Sequence, residues 1–132
     1  MQNPVEVMVL DDEEVVCERL KTHLEKEAYQ VETFTESEKA IERLREKKYD
    51  VVITDVKMQG PSGLDVLHHV RRESPGTQVI IITGYGSIES IREAEYGGAF
   101  EFIHKPFTAK AMADLVRKAA RKARKLGVKG ET

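Results

Sequence analysis

Apolar runs alternate with amphipathic stretches along the whole chain. The apolar runs predict strands at residues 5–10, 30–34, 50–54, 78–82 and 100–103. The stretches that follow them predict helices at roughly 13–28, 36–48, 63–73, 87–96 and 108–125. Strict alternation of strand and helix favours a parallel sheet with right-handed crossovers and helices on both faces.

The polarity of each run indicates where its strand lies in the sheet. The first, third and fourth runs are nearly all apolar, as expected for strands that are covered on both faces. The second run, Val31-Glu32-Thr33-Phe34, alternates and is therefore predicted at an edge. With strand order 2-1-3-4-5, the winding of the sheet reverses between strands one and three.

Capping residues and apolar stripes support the helices. Thr35 with Glu38, and Ser62 with Asp65, both match a capping box. The predicted inward-facing residues are Val15, Val16, Leu20 and Leu24 in the first helix, Leu64, Leu67 and Val70 in the third, and Met112, Leu115, Val116 and Ala119 in the fifth.

Polar residues follow four of the predicted strands at the point where each apolar run ends. They are Asp11 and Asp12 after the first strand, Asp55 after the third, Thr83 after the fourth and Lys105 soon after the fifth. Ligands of such sheets bind beyond the carboxyl ends of the strands, where the winding reverses. Three carboxylates, one hydroxyl and one ammonium are therefore predicted along one edge.

This set of groups suits a divalent cation and a phosphoryl group. Asp11, Asp12 and Asp55 could share one Mg²⁺, with water and a backbone carbonyl completing the octahedron. Lys105 and Thr83 would offset charge on a phosphoryl group in transfer. Asp55 is the best candidate nucleophile, as a carboxylate that forms an acyl phosphate, because it lies alone at the end of a central strand. Each residue alone has an ordinary structural explanation, but their coincidence on four strand ends favours function.

Composition limits the class of protein. The chain has 132 residues, of which 33% are charged and 40% hydrophobic, as is typical of one globular domain. No apolar run approaches the roughly 20 residues that a membrane helix needs. Residues 1–4 have no features of a signal peptide, and the single Cys17 cannot form an internal disulfide. We therefore expect a cytoplasmic protein in which Cys17 is an inert core or boundary residue.

Charge gives no general attraction to nucleic acid, since the net charge is −2. The end of the chain is nevertheless basic, and its cations are interpreted as a solvated helix face that suits the helix dipole. These cations are Arg117, Lys118, Arg121, Lys122, Arg124, Lys125 and Lys129. His68, His69 and His104 are interpreted as surface histidines and not as a metal site.

The pattern of site residues resembles the receiver domain of bacterial two-component response regulators, from about Val5 to Leu126. The matching residues are Asp11-Asp12, Asp55 in Asp55-Val56-Lys57-Met58, Gly63, Thr83-Gly84 and Lys105-Pro106-Phe107. Residues 82–86 and 99–107 look most similar to receivers of the nitrogen-regulator class.

The resemblance implies a flavodoxin-like doubly wound (βα)5 fold, with a five-stranded parallel sheet of order 2-1-3-4-5. It implies a receiver domain over residues 1–126 and a flexible tail or the start of a linker over 127–132. Asp55 would accept a phosphoryl group from the phosphohistidine of a sensor histidine kinase. Asp12 and Asp55 would bind Mg²⁺ directly, Asp11 largely through water, and Lys57 through its backbone carbonyl.

The resemblance also implies a switch. Lys105 would pair with the phosphoryl group, Gly84 would flank it, and Thr83 would move toward it and leave space for the aromatic ring of Phe102. The Lys105–Pro106 peptide bond would be cis. A downstream effector would bind the surface of the fourth helix, fifth strand and fifth helix, for which the candidate residues are Tyr85, Ile88, Ile91 and Tyr96. A homodimer is possible, whereas membrane attachment and direct nucleic-acid binding by this domain are not expected.

Two departures from the family and two alternatives remain open. The loop after Asp55 reads Met58-Gln59-Gly60-Pro61 where many receivers have Met-Pro-Gly, and Phe102 stands where others have Tyr. One alternative is a Mg²⁺-dependent phosphatase with an aspartyl nucleophile, although Asp11-Asp12-Glu13 fits its Asp-x-Asp pattern poorly. The other is a pseudo-receiver that only binds partners, against which the complete residue set argues. The leading hypothesis is a signalling module that processes no separate substrate.

Overall fold

The computed structural model describes residues 3–84 and 88–127 and contains five strands and five helices within them. The elements are β1 (Glu6–Leu10), α1 (Glu14–Glu25), β2 (Gln30–Phe34), α2 (Ser37–Glu46), β3 (Val51–Asp55), α3 (Gly63–Glu73), β4 (Gln78–Thr83), α4 (Ile88–Tyr96), β5 (Glu101–His104) and α5 (Ala109–Lys125). The predictions for Tyr85, for the side chain of Ile88 and for residues 128–132 lie outside the described residues.

The strands form one parallel sheet of order β2-β1-β3-β4-β5, which confirms the predicted flavodoxin-like doubly wound fold. β1 lies between β2 and β3, so that Val7 is in register with Val31 on one side and Val51 on the other. The alternating strand β2 is at an edge, as predicted. The winding therefore reverses between β1 and β3, and the side chains that end these two strands are neighbours.

The sheet buries apolar residues on both faces, because β1, β3 and β4 are almost entirely buried. One core lies between the sheet and the helices α1 and α5, and includes Val9, Ile53, Ile80 and Met112. The second core lies on the opposite face, and includes Met8, Val52, Ile81 and Leu67 of α3. These two cores hold the strand ends in place from both sides.

Two capping boxes were predicted, and one of these predictions is wrong. Ser62 caps α3 in a complete capping box with Asp65. The box predicted from Thr35 is absent, because the backbone stays extended through Glu36 and α2 begins at Ser37. Glu36 occupies the N-cap position without a side-chain hydrogen bond, and the Ser37 hydroxyl donates to the Gln59 carbonyl at 3.0 Å.

The predicted inward stripe of α1 is wrong at one position. Val15 is 66% exposed, because α1 packs against the sheet through Cys17, Leu20 and Leu24, which lie on the opposite side of the helix. Cys17 is thus a buried core residue, and burial raises the pKa of its thiol to about 11. A thiol that stays protonated is a poor nucleophile, in agreement with the inert role that was predicted.

Two predictions about exposed charge are also wrong. His69 is buried in α3, and burial lowers the pKa of its imidazole, so it is not a surface histidine. Arg124 is not part of a purely solvated face, since its guanidinium pairs with the buried Asp50. In the part of the chain that the structure describes, no helix is long and apolar enough to cross a membrane.

Candidate functional site

The carboxyl ends of β1 and β3 bring three carboxylates together. One oxygen from each of Asp11, Asp12 and Asp55 lies within 4.8 Å of the others. This proximity follows from the direct pairing of the two strands, in which Leu10 is in register with Thr54. Oxygen atoms at such separations can bind a single hard cation. The structure therefore brings together the acidic residues that the sequence analysis selected.

Asp11 is a buried carboxylate with one oxygen that is not hydrogen-bonded. Its Oδ1 accepts the backbone N–H of Glu13 at 2.8 Å. Its Oδ2 accepts no hydrogen bond from the described residues, although the Lys105 Nζ lies 2.8 Å away in an ion pair with poor hydrogen-bond direction. Burial raises the pKa of Asp11, while Lys105 and the Glu13 N–H act in the opposite direction. Such a buried oxygen suits a cation ligand.

Asp55 is the last residue of β3, and both of its carboxylate oxygens have hydrogen-bond donors. Oδ1 accepts the backbone N–H of Lys57 at 3.0 Å, and Oδ2 accepts from the Lys105 ammonium at 3.0 Å. The side chain is 10% exposed, which leaves it a path to solvent. Asp12, in contrast, is an exposed residue at the same edge. The cluster therefore combines two buried carboxylates, Asp11 and Asp55, with one exposed carboxylate, Asp12.

Lys105 supplies the positive charge at this site. Its backbone N–H donates to the Thr83 carbonyl at 2.8 Å, which fixes the residue beside the end of β4, and its peptide bond to Pro106 is cis. Burial lowers the pKa of Lys105, but the carboxylates of Asp11, Glu13 and Asp55 more than offset this and hold the pKa above its usual value. The ammonium is therefore charged at every physiological pH.

The predicted switch residues lie on the neighbouring strands. Thr83 is the buried last residue of β4, and Gly84 follows it. Phe102 of β5 is in register with Ile81, so it lies on the same face of the sheet as Thr83, two residues further along. The Phe102 ring is half-buried and packs edge-on against the His104 ring at 5.4 Å. The side chains of Thr83 and Phe102, the two predicted switch residues, thus lie on the same face of the sheet.

Gly63 allows α3 to begin directly behind Asp55. A Cβ atom on Gly63 would lie 2.0 Å from the Asp55 carbonyl oxygen, which no side chain tolerates. The Gly63 N–H donates to the Val56 carbonyl at 2.9 Å and closes the loop between β3 and α3. The absence of a side chain at this position therefore sets the backbone that carries the site.

Sequence reasoning missed one residue that contacts Lys105 and one that lines the groove beside Asp12. Glu13 Oε1 accepts a hydrogen bond from Lys105 Nζ at 3.0 Å. The Ser37 hydroxyl holds the Gln59 carbonyl, and both residues line a groove of about 690 Å³ beside Asp12. Glu13 had a signal, since it directly follows the acidic pair, whereas the contact of Ser37 depends on how α2 packs and has no local signal.

The fold and the site define a class of protein: a doubly wound α/β domain with an acidic cluster and a lysine at the point where the winding reverses. The model of the response regulator receiver domain family matches residues 7–117. The chain belongs to this family. Membership makes it a receiver domain of phosphorylation-based two-component signalling, as the sequence analysis predicted.

Individual relatives agree with the nitrogen-regulator class. The chain is 31% identical to the response regulator protein PilR of Pseudomonas aeruginosa, over 86% of this chain and 26% of that protein. It is 29% identical to the nitrogen assimilation regulatory protein NtrX of Azorhizobium caulinodans, over 86% and 26%. The beryllofluoride-activated NtrC4 receiver domain dimer is 31% identical with a TM-score of 0.84, over 89% and 98%. The chain thus spans about a quarter of the length of PilR and of NtrX.

Proposed function

We propose that this domain is a phosphorylation-controlled switch in which Asp55 accepts a phosphoryl group from the phosphohistidine of a sensor histidine kinase. The observation that supports this best is the geometry around Asp55. Its carboxylate lies in one cluster with Asp11 and Asp12, and its Oδ2 is 3.0 Å from the Lys105 ammonium. Anionic ligands and a cation around one nucleophile are the arrangement that phosphoryl transfer requires.

We propose Mg²⁺ as the cofactor of this site. The donor set fits a hard cation, since it consists of oxygens only, and Asp11 Oδ2 is buried without a hydrogen bond from the described residues. Asp11, Asp12, Asp55 and the carbonyl of Lys57 would hold the ion. When bound, Mg²⁺ supplies positive charge that offsets the oxygens of the phosphoryl group.

The residues of the chain have separate parts in the transfer. A carboxylate oxygen of Asp55 forms the new bond to phosphorus, and the bond between phosphorus and the histidine nitrogen breaks. The donor ring carries a proton on its other nitrogen, so it leaves as neutral imidazole. Lys105 stabilises the negative charge of the transferred group, while the hydroxyl of Thr83 and the backbone near Gly84 flank it. Hydrolysis ends the phosphorylated state: water attacks the phosphorus, the bond between phosphorus and the Asp55 oxygen breaks, and the Asp55 carboxylate and inorganic phosphate are released.

The proposed response begins at Thr83. A phosphoryl group on Asp55 would draw the hydroxyl of Thr83 and the ammonium of Lys105 toward it. Phe102 lies in the same layer of the sheet and would fill the space that Thr83 leaves. The surface of α4, β5 and α5 would then change, and Ile91 and the 91% exposed Tyr96 are candidates to contact a partner there. A downstream effector, which controls transcription, would read this surface.

The proposed unit is a receiver domain over residues 1–126. We place it in the cytoplasm, where a sensor kinase would find it. A homodimer is consistent with the NtrC4 relative, whose solved receiver domain is a dimer. Direct nucleic-acid binding is not part of the proposal, because the net charge is −2.

Incubation with Mg²⁺ and acetyl phosphate tests the proposal. Intact-mass measurement should detect one labile phosphoryl adduct, and Asp55→Asn should abolish it because the nucleophile is lost. Asp114→Asn is the matched control, because Asp114 is a carboxylate of α5 that pairs with Arg117 away from the site. A folded protein without an adduct would support the pseudo-receiver, and rapid turnover of many phosphomonoesters would support the phosphatase.

A further inference from the structure

The Lys105 ammonium is shared among three carboxylates. It donates hydrogen bonds to Glu13 Oε1 and Asp55 Oδ2, both at 3.0 Å, and lies 2.8 Å from Asp11 Oδ2. An ammonium has three N–H donors, and two of them already donate to Glu13 and Asp55. A phosphoryl group on Asp55 that pairs with Lys105 therefore competes with its carboxylate neighbours.

Glu13 is the partner that can leave at the smallest cost. Its side chain is 62% exposed, whereas the side chains of Asp11 and Asp55 are 0% and 10% exposed. A Glu13 carboxylate that leaves Lys105 returns to water, whereas Asp11 would stay a poorly solvated carboxylate and Asp55 itself carries the phosphoryl group. Exposed ion pairs contribute little to stability, so the displacement needs little free energy.

The position of Glu13 on α1 also indicates a role beyond capping. Glu13 occupies the N-cap position of α1, but its side chain makes no capping hydrogen bond. Asp11 Oδ1 instead accepts the N–H of Glu13, so that the helix start does not depend on the Glu13 side chain. The carboxylate of Glu13 is directed to Lys105, 92 residues away in sequence.

We infer that Glu13 is a positioning residue that acts as an internal anion, holding Lys105 in the unphosphorylated domain and competing with the phosphoryl group for it. The inference deepens the proposed function and depends on it. Loss of this carboxylate should favour the phosphorylated state, because Lys105 can then pair with the phosphoryl group without first breaking its contact with Glu13. The effect should appear in the binding of the phosphoryl donor more than in the chemical step.

Glu14 provides a matched control for this inference. It is an exposed carboxylate one residue further along α1, and it is not among the groups that contact Lys105. Glu13→Gln and Glu14→Gln remove the same charge from exposed residues at adjacent positions of the chain. Any difference between the two variants therefore reports the contact with Lys105 and not the general electrostatic effect of removing one negative charge.

The test measures the affinity of fluoroberyllate, a mimic of the phosphoryl group, in the presence of Mg²⁺. Glu13→Gln should bind it about threefold or more tightly than Glu14→Gln, as expected for one exposed ion pair. With acetyl phosphate, Glu13→Gln should lower the apparent KM while kcat stays the same. Equal affinities of the two variants, or weaker binding by Glu13→Gln, would overturn the inference. Failure of the unmodified domain to bind fluoroberyllate or to form an adduct would instead overturn the proposed function.

Discussion

The two ends of the sheet each contain a fully buried aspartate that pairs with a cation. The two pairs differ in how many carboxylates share that cation. At the amino end, Asp50 accepts the N–H of Glu6 at 2.8 Å and pairs with the Arg124 guanidinium at 3.1 Å. At the carboxyl end, Asp11 pairs with Lys105, whose ammonium is shared with two other carboxylates. At the amino end the Arg124 guanidinium pairs with Asp50, whereas at the carboxyl end one ammonium lies within 3.0 Å of three carboxylates.

The difference shows how similar burial can serve stability or function. Arg124 and Lys105 have nearly equal side-chain exposure, 18% and 19%, so the degree of burial does not separate the two sites. A guanidinium has a fixed set of donors that suits one carboxylate, and it completes the amino-end pair. The excess of carboxylates at the carboxyl end costs free energy until a further cation binds. We therefore expect neutralisation of the buried aspartate to destabilise the domain at the amino end but not, in the absence of Mg²⁺, at the carboxyl end.

Asp50→Asn should have the largest effect on stability. The change leaves the Arg124 guanidinium without its carboxylate, and breaking such a pair should lower the free energy of unfolding by about 3 kcal/mol. Urea denaturation measures this loss. Asp114→Asn, which breaks only an exposed pair with Arg117, is the control and should have no measurable effect. Equal stability of the two variants would mean that the amino-end pair is not structural.

Gly63→Ala should lower the stability of the domain, because it displaces the backbone at the carboxyl end of the sheet. The new Cβ would meet the Asp55 carbonyl oxygen at 2.0 Å, and the required shift should cost about 2 kcal/mol. The affinity for Mg²⁺, measured by calorimetry, should fall as well because Asp55 moves. Gly84→Ala is the control for stability, since a Cβ there meets no atom of residues 3–84 and 88–127 within 4 Å. Unchanged stability of Gly63→Ala would contradict the close approach of α3 to the site.

Glu32 on the edge strand β2 forms ion pairs with Arg43 and Lys47, and these pairs can be tested by changing the pH. Hydrogen bonds from Arg43, Tyr49 and Lys47 outweigh burial and lower the pKa of Glu32 from 4.5 to about 2. Because the folded pKa is depressed, the stabilisation is complete above pH 4.5 and is lost as the pH falls toward 2.

Glu32→Gln should therefore lower the free energy of unfolding by about 1 kcal/mol at neutral pH. In urea titrations at decreasing pH, the difference from the unmodified domain should shrink below pH 4.5. Glu46→Gln, which removes an exposed partner of Arg43, should give no such pH dependence. A difference that stays constant with pH would exclude Glu32 as the titrating group.

The carboxyl end could be predicted from sequence because its chemistry is encoded locally. Asp11, Asp55 and Thr83 each end an apolar run, and parallel topology places such ends at one edge. The alternating run also predicted that β2 lies at an edge of the sheet, whereas the full strand order came with the family resemblance. Periodicity and strand position were sufficient to bring these residues together.

The amino end could not be predicted, because its partners are far apart in sequence. Asp50 and Arg124 are separated by 74 residues, and each has an ordinary local explanation as a turn residue or a solvated cation. Their contact depends on how α5 rotates against the sheet, which one sequence does not specify. The contact of Glu13 with Lys105 was missed for the same reason. Likewise, the exposure of Val15 depends on which side of α1 packs inward.

The most direct test compares Mg²⁺-induced stabilisation in Asp11→Asn and Asp50→Asn by thermal or urea denaturation. Without Mg²⁺, Asp11→Asn should be as stable as the unmodified domain or slightly more stable, because burial raises the pKa of Asp11 and its charge is unfavourable. At Mg²⁺ tenfold above Kd, the unmodified domain and Asp50→Asn should each gain about 1.4 kcal/mol. Asp11→Asn should lose most of this gain. An undiminished gain in Asp11→Asn, or its loss in Asp50→Asn, would contradict the division between a structural and a functional end of the sheet.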